Sequence, residues 1–404
     1  MRQSQVFSMP VFFRSATRGR SAAAKGSVAI VYRHEIATHP RWEAAFAAHR
    51  KDRRYYEIVE DTLRQDFDYG YFAIKDEQGE VRAIQPFFIL DQDLLAGTGR
   101  GIRAVADAIR RLWPRFLHMR TLMVGCAAGE GHLDGDGEAH RITATTLAAH
   151  IRSIARKLKT PVIVLKEFPA HYRSSLQCFR DNGFARVPSM PMTRLNIEYK
   201  SFEDYLNRVI SPRTRGKLRR KLRQAARAEP AVQMSVVQDV SPIVDEIYPL
   251  YLQVYERSSL RFEKLTKEYL SALGRQMPDK VRFFLWRQSE KVIAFAVYLV
   301  QDAGIHSEYI GFDYRVAFDL NLYYLVFRDT MEWGIANGYK WFGSTGLNYD
   351  PKFHLRQSLD PVDLYVRHTS GLINAALRRV LPLIEPTRYD KTLRQFPNYK
   401  DLWG

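Results

Sequence analysis

His306 and Glu308 stand two residues apart in a run of β-forming residues at 305–310. Because side chains alternate across a strand, the two point to the same face. A carboxylate or an imidazole can take a proton from a reacting group, so the pair predicts a general base, with Glu308 as first choice. Partial burial is expected to raise the pKa of Glu308 toward the working range of a base. A structural carboxylate paired with an arginine fits the same pattern, and both interpretations stay open.

Further polar residues end predicted strands or lie close behind them. Lys166 and Glu167 end a β-rich run, where they form either a substrate contact or an ordinary ion pair. Ser344 follows another strand, but no Gly-x-Ser-x-Gly motif and no paired His–Asp pattern accompany it, which argues against a serine hydrolase. Ser344 and Tyr324 are therefore predicted as substrate contacts, although most aromatic residues near Tyr324 are expected to be core.

Metal chemistry is not predicted. Four potential ligands lie close together, but their spacing matches no standard zinc or calcium loop: His132, Asp134, Asp136 and His140. A polar loop explains them better. The two cysteines, Cys126 and Cys178, form no Cys-x-x-Cys pair and fit a reducing, cytoplasmic compartment.

The segment 211–228 is the most distinctive in the chain. Ser211 and Pro212 are typical of a helix start, and Pro230 ends the segment. Its apolar stripe is Leu218, Leu222, Ala225 and Ala226, and its cations are Arg213, Arg215, Lys217, Arg219, Arg220, Lys221, Arg223 and Arg227. The pattern predicts an amphipathic helix with outward cations, in which Arg219, Arg220 and Arg223 bind a polyanion such as tRNA. A solvated charged face fits equally well.

The whole chain is basic, with 61 Lys and Arg against 44 Asp and Glu and a net charge of +17. Such an excess favours nucleic acid, phosphate-rich cofactors or acidic membrane surfaces, and is equally consistent with a solvated basic surface. No apolar run approaches the ~18 residues that a membrane-spanning helix needs. Residues 1–26 precede the first acid, Glu35, and are predicted to form a flexible basic tail.

Two stretches of the sequence show the same order of predicted secondary-structure elements. The runs 71–90 and 283–300 each contain two β-rich segments around a polar turn, which predicts two antiparallel hairpins. Each is followed by a strand–helix–strand unit whose helix ends in Asn-Gly. The sequence thus predicts two similar α+β halves, at 27–199 and 200–370, and a helical extension at 371–404. The apolar run 373–383 in this extension is expected to dock back on the fold, with membrane contact as the alternative.

These patterns resemble the Fem-type and CelD-like branch of the GNAT superfamily. The resemblance is carried by the basic helix, the second hairpin, the strand–helix unit 306–338, the segments WFG (341–343) and YDPKF (349–353), and, in the first half, VIVLKEFP (162–169) and CFRDNGF (178–184). It implies two tandem GNAT-like domains, each a mixed, mostly antiparallel twisted sheet flanked by helices. It also implies an N-acyltransferase that moves an acyl group from acyl-CoA to the amine of a small molecule or peptide. Tyr314 and Lys352 become candidates for protonating the leaving group or holding an acceptor carboxylate.

In this fold the phosphates of the donor meet backbone N–H groups at the start of a helix. The matching loop of the second half, 312–318, contains no glycine, and Arg315 and Ala317 are its predicted donor contacts. The matching loop of the first half offers Gly125, Ala128 and Gly129, but its acids are unfavourable near phosphate. Three alternatives therefore stay open: the donor binds in the first half, it binds in the second half, or the coenzyme A site has been lost.

Two further functions remain open. A Fem-like transferase that uses aminoacyl-tRNA would explain the charge and the basic helix without a glycine loop. A non-catalytic GNAT-fold module that binds nucleic acid or a membrane through the basic helix is the third hypothesis.

Overall fold

The computed structural model describes residues 26–93, 107–108, 111, 118–258 and 260–404. The predicted basic tail, up to residue 25, lies outside them. The strands are β1 (Ser27–Val31), β2 (Asp68–Lys75), β3 (Val81–Asp93), β4 (His118–Val124), β5 (Val162–Pro169), β6 (Ala185–Pro188), β7 (Met192–Asn196), β8 (Val232–Val237), β9 (Val281–Gln288), β10 (Lys291–Gln301), β11 (Gly304–Phe312), β12 (Trp341–Ser344), β13 (Ser358–Asp360) and β14 (Val362–His368).

Helices cover both sheets and connect their strands. Including short 3₁₀ turns, they are Arg33–Ile36, Pro40–Glu43, Arg53–Thr62, Gly137–Lys157, Ala170–Tyr172, Gln177–Asp181, Phe202–Val209, Pro212–Ala226, Ser241–Ile243, Val244–Arg257, Lys267–Gln276, Leu322–Ala336, Tyr349–His354, Gly371–Ile384, Pro386–Arg388, Leu393–Gln395 and Tyr399–Leu402. None of the helices in the described part of the chain combines the length and apolar character needed to cross a bilayer.

The strands form two sheets of seven, with orders β1-β2-β3-β4-β5-β14-β6 and β8-β9-β10-β11-β12-β7-β13. Position by position the two orders correspond, and in each the fourth and fifth strands are the parallel pair. The prediction of two similar α+β halves with mixed, mostly antiparallel sheets is confirmed. Both predicted hairpins are present, as β2–β3 and β9–β10.

The halves exchange one strand each. β7 leaves the first half and pairs with β12 and β13, while β14 returns from the second half to pair with β5 and β6. The predicted boundary between residues 199 and 200 therefore does not separate the two sheets. Each sheet is completed by the other half of the chain, which ties the halves together.

Apolar packing joins the sheets as well. One core contains Phe88 of β3, Phe283 of β9 and the helix residue Tyr269, so it lies between the sheets. The outer face of the first sheet packs on the helix Gly137–Lys157. The outer face of the second packs on Phe202–Val209, Pro212–Ala226 and Leu322–Ala336.

Two local predictions need correction. The helix expected at 172–181 is a 3₁₀ turn at Ala170–Tyr172 followed by a short helix, Gln177–Asp181. In the basic helix, Leu218, Leu222 and Ala225 are buried as predicted, but Ala226 is exposed and lines an open groove with Phe202 and Arg328 of the neighbouring helices.

The parallel strands of each sheet part near their carboxyl ends. β4 and β5 pair up to Val124 and Leu165, and β11 and β12 pair up to Ser307 and Ser344. Beyond this point β11 stays paired with β10, and Glu308 is the extra residue of a bulge between these two strands. Glu308 therefore stands where the strands of the second half separate.

Candidate functional site

A buried ion cluster lies where the two halves meet. It consists of Arg50, Lys51, Glu130 and Glu308, all less than a tenth exposed. Lys51 Nζ lies 2.6 Å from Glu130 Oε2 and 3.0 Å from Glu308 Oε2. Arg50 Nε donates to Glu308 Oε1 at 3.0 Å, and the Arg50 guanidinium also binds Glu130. Two cations thus face two carboxylates, so the buried charge is balanced.

The backbone at Gly129 makes room for this cluster. Gly129 has a φ of +88°, and a Cβ built there would lie 2.2 Å from Lys51 Nζ. A side chain would displace the ammonium group from both carboxylates. This glycine-rich loop, which the sequence offers as a donor contact, brings Glu130 to Lys51, and donor binding there stays a prediction. Ala128 is buried in the same loop, and its carbonyl accepts a hydrogen bond from Tyr55 at 3.2 Å.

The cluster sets the pKa of Glu308. Burial acts to raise it, but the charge of Lys51 and the hydrogen bond from His306 outweigh burial and lower the pKa to about 2. The predicted upward shift is wrong in direction. A carboxylate with so low a pKa stays ionised at neutral pH and is a weak base.

His306 has the complementary property. Its Nδ1 lies 3.0 Å from Glu308 Oε1. An ionised carboxylate only accepts, so Nδ1 carries the proton and Nε2 carries the lone pair. Nε2 is buried and has no hydrogen-bond partner among the described residues. Burial, followed by the charge of Arg50, lowers the pKa of His306, so the ring is neutral at neutral pH.

Gly343 of β12 accommodates the imidazole. It pairs with His306 across the parallel strands, and a Cβ on it would come within 2.5 Å of His306 Cδ2 and 3.3 Å of Nε2. The lone pair of His306 is therefore held over β12, beside the point where the strands part.

A chain of polar groups continues from the end of β12. Ser344 Oγ lies 2.8 Å from Thr193 Oγ1 on the exchanged strand β7, which in turn donates to Gln357. Lys352 is buried, donates to the carbonyl of Thr345, and has its pKa lowered by burial to about 7. Its ammonium group is thus close to half-deprotonated at neutral pH.

A second cluster of polar side chains lies near the end of β5, the strand of the first sheet that corresponds to β12. Lys166 Nζ binds the carbonyl of Gly129 at 2.7 Å and Glu167 at 2.8 Å. Glu263, from the second half, accepts from Tyr309 at 2.7 Å, and burial, opposed by Lys166, raises the pKa of Glu263. Lys166 and Glu167 therefore form an ion pair, with further charge facing it from the other half, and their contact with substrate stays a prediction.

The remaining candidates lie elsewhere. The ring of Tyr314 contacts Arg257 at 4.1 Å, and its backbone N–H donates to Gln253. Arg315 is engaged by Asp313, with Nη2 to Oδ2 at 2.7 Å. The backbone N–H groups of Arg315, Val316 and Ala317 all donate to Asp313. The amides predicted to bind phosphate are thus occupied by a carboxylate and a carbonyl of the protein.

On the basic helix, the three named arginines differ. Arg219 is paired with Glu203 and Asn207, whereas Arg220 and Arg223 are exposed. Lys221 lies 4.1 Å above the ring of Tyr324, so this tyrosine supports the helix and not the ion cluster.

Three important residues were not singled out from the sequence: Arg50, Lys51 and Glu263. Gly343 was noted only as part of the segment WFG that carries the resemblance. Arg50 and Lys51 belong to the charged run HRKDRR at 49–54, which reads as a solvated surface. Among the described residues, no three His, Cys, Asp or Glu side chains are arranged to hold a metal ion. Glu130 and His132 bind each other at 3.1 Å instead.

Comparison with known proteins gives one family. Residues 106–354, more than half of the chain, match the model of the FemAB-like family, described as peptidoglycan biosynthesis/recognition. No curated protein matches the sequence.

Three solved structures are similar to this chain at low sequence identity. FemX is 11% identical, with 83% of this chain and 96% of that chain covered and a TM-score of 0.49. The C-terminal domain of a putative lysylphosphatidylglycerol synthetase from Agrobacterium fabrum is 16% identical, with 81% and 95% covered and a TM-score of 0.46. A tandem GNAT protein from the clavulanic acid biosynthesis pathway is 10% identical, with 85% and 99% covered and a TM-score of 0.45. On the strength of the family match, the predicted Fem-type resemblance is confirmed, and the chain belongs to the FemAB-like family.

Proposed function

We propose that this protein is a Fem-type transferase that moves an acyl or aminoacyl group from an activated carrier to an amine. The observation that carries the proposal is the neutral, buried His306, whose Nδ1 is fixed by Glu308 and whose Nε2 has no partner. An imidazole held in this tautomer is suited to take a proton from an amine.

The chemistry assigns a role to each group. The acceptor amine attacks the carbonyl carbon of the carrier's ester or thioester, a C–N bond forms, and the C–O or C–S bond breaks. His306 Nε2 takes the proton that the amine loses. Glu308 stays ionised and stabilises the imidazolium that results. Lys352, whose pKa is about 7, is the group that returns a proton to the leaving oxygen or sulfur.

Aminoacyl-tRNA is the carrier that the site favours over acyl-CoA. Phosphates need free donors, yet the amides of the second-half loop donate to Asp313. The glycine loop of the first half is largely buried and holds Glu130 in the ion cluster. The basic helix instead exposes Arg213, Lys217, Arg220, Arg223 and Arg227, which suits a polynucleotide. The family description supports a peptide amine of peptidoglycan as the acceptor.

The test compares carriers under single-turnover conditions. The purified chain is incubated with charged tRNA or with acyl-CoA, and with amine-bearing peptidoglycan peptides as acceptors. We expect transfer from charged tRNA, and a rate about 10²–10⁴-fold lower for His306→Asn. His354→Asn, which changes a half-exposed histidine outside the cluster, is the matched control and should react like the wild type.

Each failure has a distinct meaning. A wild-type rate in His306→Asn removes the general base from the proposal. Transfer from acyl-CoA alone keeps the transferase and changes the carrier. If neither carrier reacts while tRNA binds, the non-catalytic polyanion-binding function replaces the enzyme.

A further inference from the structure

The C-terminal helix Gly371–Ile384 carries an apolar stripe on its outer side. Leu372, Ala376, Val380 and Leu383 follow one another at intervals of four, four and three residues, which places them on one face. Leu372 is 88% exposed and Leu383 61%. Ile373 and Ile384 widen the stripe and are exposed as well. The stripe therefore runs along the whole helix and faces away from the protein.

The opposite side of the helix holds it in place. Asn374 is buried, accepts from the backbone N–H of His368 at 3.0 Å and donates to the carbonyl of Gly183 at 2.9 Å. The run predicted to dock back on the fold does so, but only through this side. Because Asn374 anchors the helix against two segments, the exposed stripe belongs to a fixed helix and is not the consequence of a loose end.

Exposed apolar residues are concentrated here. The described part of the chain exposes eleven large apolar side chains, and six of them are Leu372, Ile373, Val380, Leu383, Ile384 and Tyr389. Tyr389 follows the helix and donates its hydroxyl to the carbonyl of Leu383. A patch of this kind marks an interaction surface, since single exposed apolar residues are usually scattered.

Arginines lie on the helix and near its start. Arg379, seven residues after Leu372, lies on the face of the stripe, whereas Arg378, four residues after Asn374, lies on the anchoring side, and both are exposed. Arg152 and Arg156 donate to the carbonyl of Thr369, just before the helix, at 3.0 and 3.2 Å. Burial, followed by the charges of Arg152, Arg156 and Arg378, lowers the pKa of Arg367. The charges acting on this group are thus all positive, and the arginines form one cationic patch.

We propose that the helix Gly371–Ile384 and the adjoining arginines dock the protein on an anionic phospholipid bilayer. The apolar stripe enters the boundary between headgroups and acyl chains, and the arginines bind lipid phosphates. An amphipathic helix with cations beside a continuous apolar face has the composition of an interfacial helix. The proposal concerns a surface separate from the ion cluster and does not rest on the proposed transferase function.

The charge and the apolar stripe together favour a bilayer over a second copy of the chain or a nucleic acid. A second copy of the chain would bring the same arginines against one another, which costs energy. A nucleic acid would satisfy the arginines but leave the apolar stripe in water. A bilayer with anionic headgroups satisfies both.

The experiment is co-sedimentation of the full chain with phosphatidylcholine vesicles, with and without phosphatidylglycerol. We expect binding to the anionic vesicles that is weakened by salt. Arg378→Gln/Arg379→Gln should reduce partition about 30-fold, from about 1 kcal/mol per cation near the surface. Leu372→Asp/Leu383→Asp should reduce it at least about tenfold through lost apolar insertion. Leu260→Asp, an exposed leucine elsewhere, is the matched control and should bind like the wild type.

A gain-of-function variant guards against misfolding as an explanation. Ala376→Leu adds apolar area to the stripe without touching the anchor and should strengthen binding several-fold. The proposal is overturned if the wild type ignores anionic vesicles, or if Leu372→Asp/Leu383→Asp binds them unchanged. It is equally overturned if the wild type is a dimer that the leucine variant separates, or if the arginines bind tRNA in competition with vesicles while the leucines have no effect.

Discussion

The loops that follow β4 and β11 occupy matching positions in the two halves but differ in burial and in the partners of their charged residues. The first, 125–134, is glycine-rich and buried, and it carries Glu130 into contact with Lys51 and Arg50. The second, 313–321, closes on itself through Asp313, which binds Arg315 and Lys291 near the surface. The first loop places a charge between the halves, and the second pairs Asp313 with cations of its own half.

Because of this difference, the two similar halves contribute different residues to the ion cluster. In the first half the parallel strands part and the loop fills the space with Glu130. In the second half β11 continues past the parting point, so that Glu308 and His306 face the same cluster from the other side. The first half thus supplies the charges that hold Glu308 ionised, and the second half supplies the imidazole.

The largest expected effect is a loss of unfolding free energy when an ion pair of the buried first-half loop is broken. Lys51→Met leaves Glu130 and Glu308 with one cation instead of two. Breaking a buried pair by removing one partner costs about 3–5 kcal/mol of unfolding free energy. Arg315→Met, on the surface loop, is the matched control, and denaturant unfolding of both variants makes the measurement. An equal loss of unfolding free energy in both variants, or no loss in Lys51→Met, would show that the buried loop does not contribute more to stability than the surface loop.

A smaller effect is expected at Gly343. An alanine Cβ there would lie 2.5 Å from His306 Cδ2, so the imidazole must shift. Overpacking of this kind costs about 1–3 kcal/mol, and the displaced Nε2 should lower the transfer rate as His306→Asn does. Gly216→Ala is the control, since nothing lies within 4 Å of its Cβ. If Gly343→Ala transfers at the wild-type rate, the position of the ring over β12 does not matter for activity.

Acid should destabilise the buried cluster in two steps. The pKa of His306 is lowered by burial, and that of His49 is lowered, again mainly by burial, to about 3. That of Glu308 is lowered to about 2. Groups with lowered pKa bind fewer protons folded than unfolded, so their stabilisation is complete at high pH and lost on acidification.

The loss begins below about pH 6.5 through the histidines and continues between about pH 4 and 2 through Glu308. Denaturant midpoints measured from pH 7.5 downward should fall, and His306→Asn should flatten the first step. A midpoint that stays constant from pH 7.5 to 5 would show that the histidines titrate alike in both states.

The sequence predicts what is local in this fold. The hairpins follow from turn residues between β-rich runs, and the shared face of His306 and Glu308 follows from the two-residue period of a strand. The exchange of β7 and β14 has no such signal, because each strand reads alike whichever sheet it joins. The prediction for the pKa of Glu308 was wrong because that pKa depends on Lys51, a cation far away in the sequence.

The basic helix gives the smallest expected effect, and it separates the arginines that the sequence treated alike. Arg220 and Arg223 are exposed, whereas Arg219 is already bound by Glu203. If the helix binds tRNA, each phosphate contact releases counterions, so Arg220→Gln and Arg223→Gln should each reduce the slope of log affinity against log salt by about 1. Arg219→Gln should change it less, because its charge is partly neutralised before tRNA arrives. Filter binding over a range of salt concentrations makes the comparison. Equal slopes in all three variants and the wild type would show that the helix is solvated and does not bind tRNA. The largest change in Arg219→Gln would instead mean that tRNA displaces Glu203 and binds the side of the helix that carries Arg219.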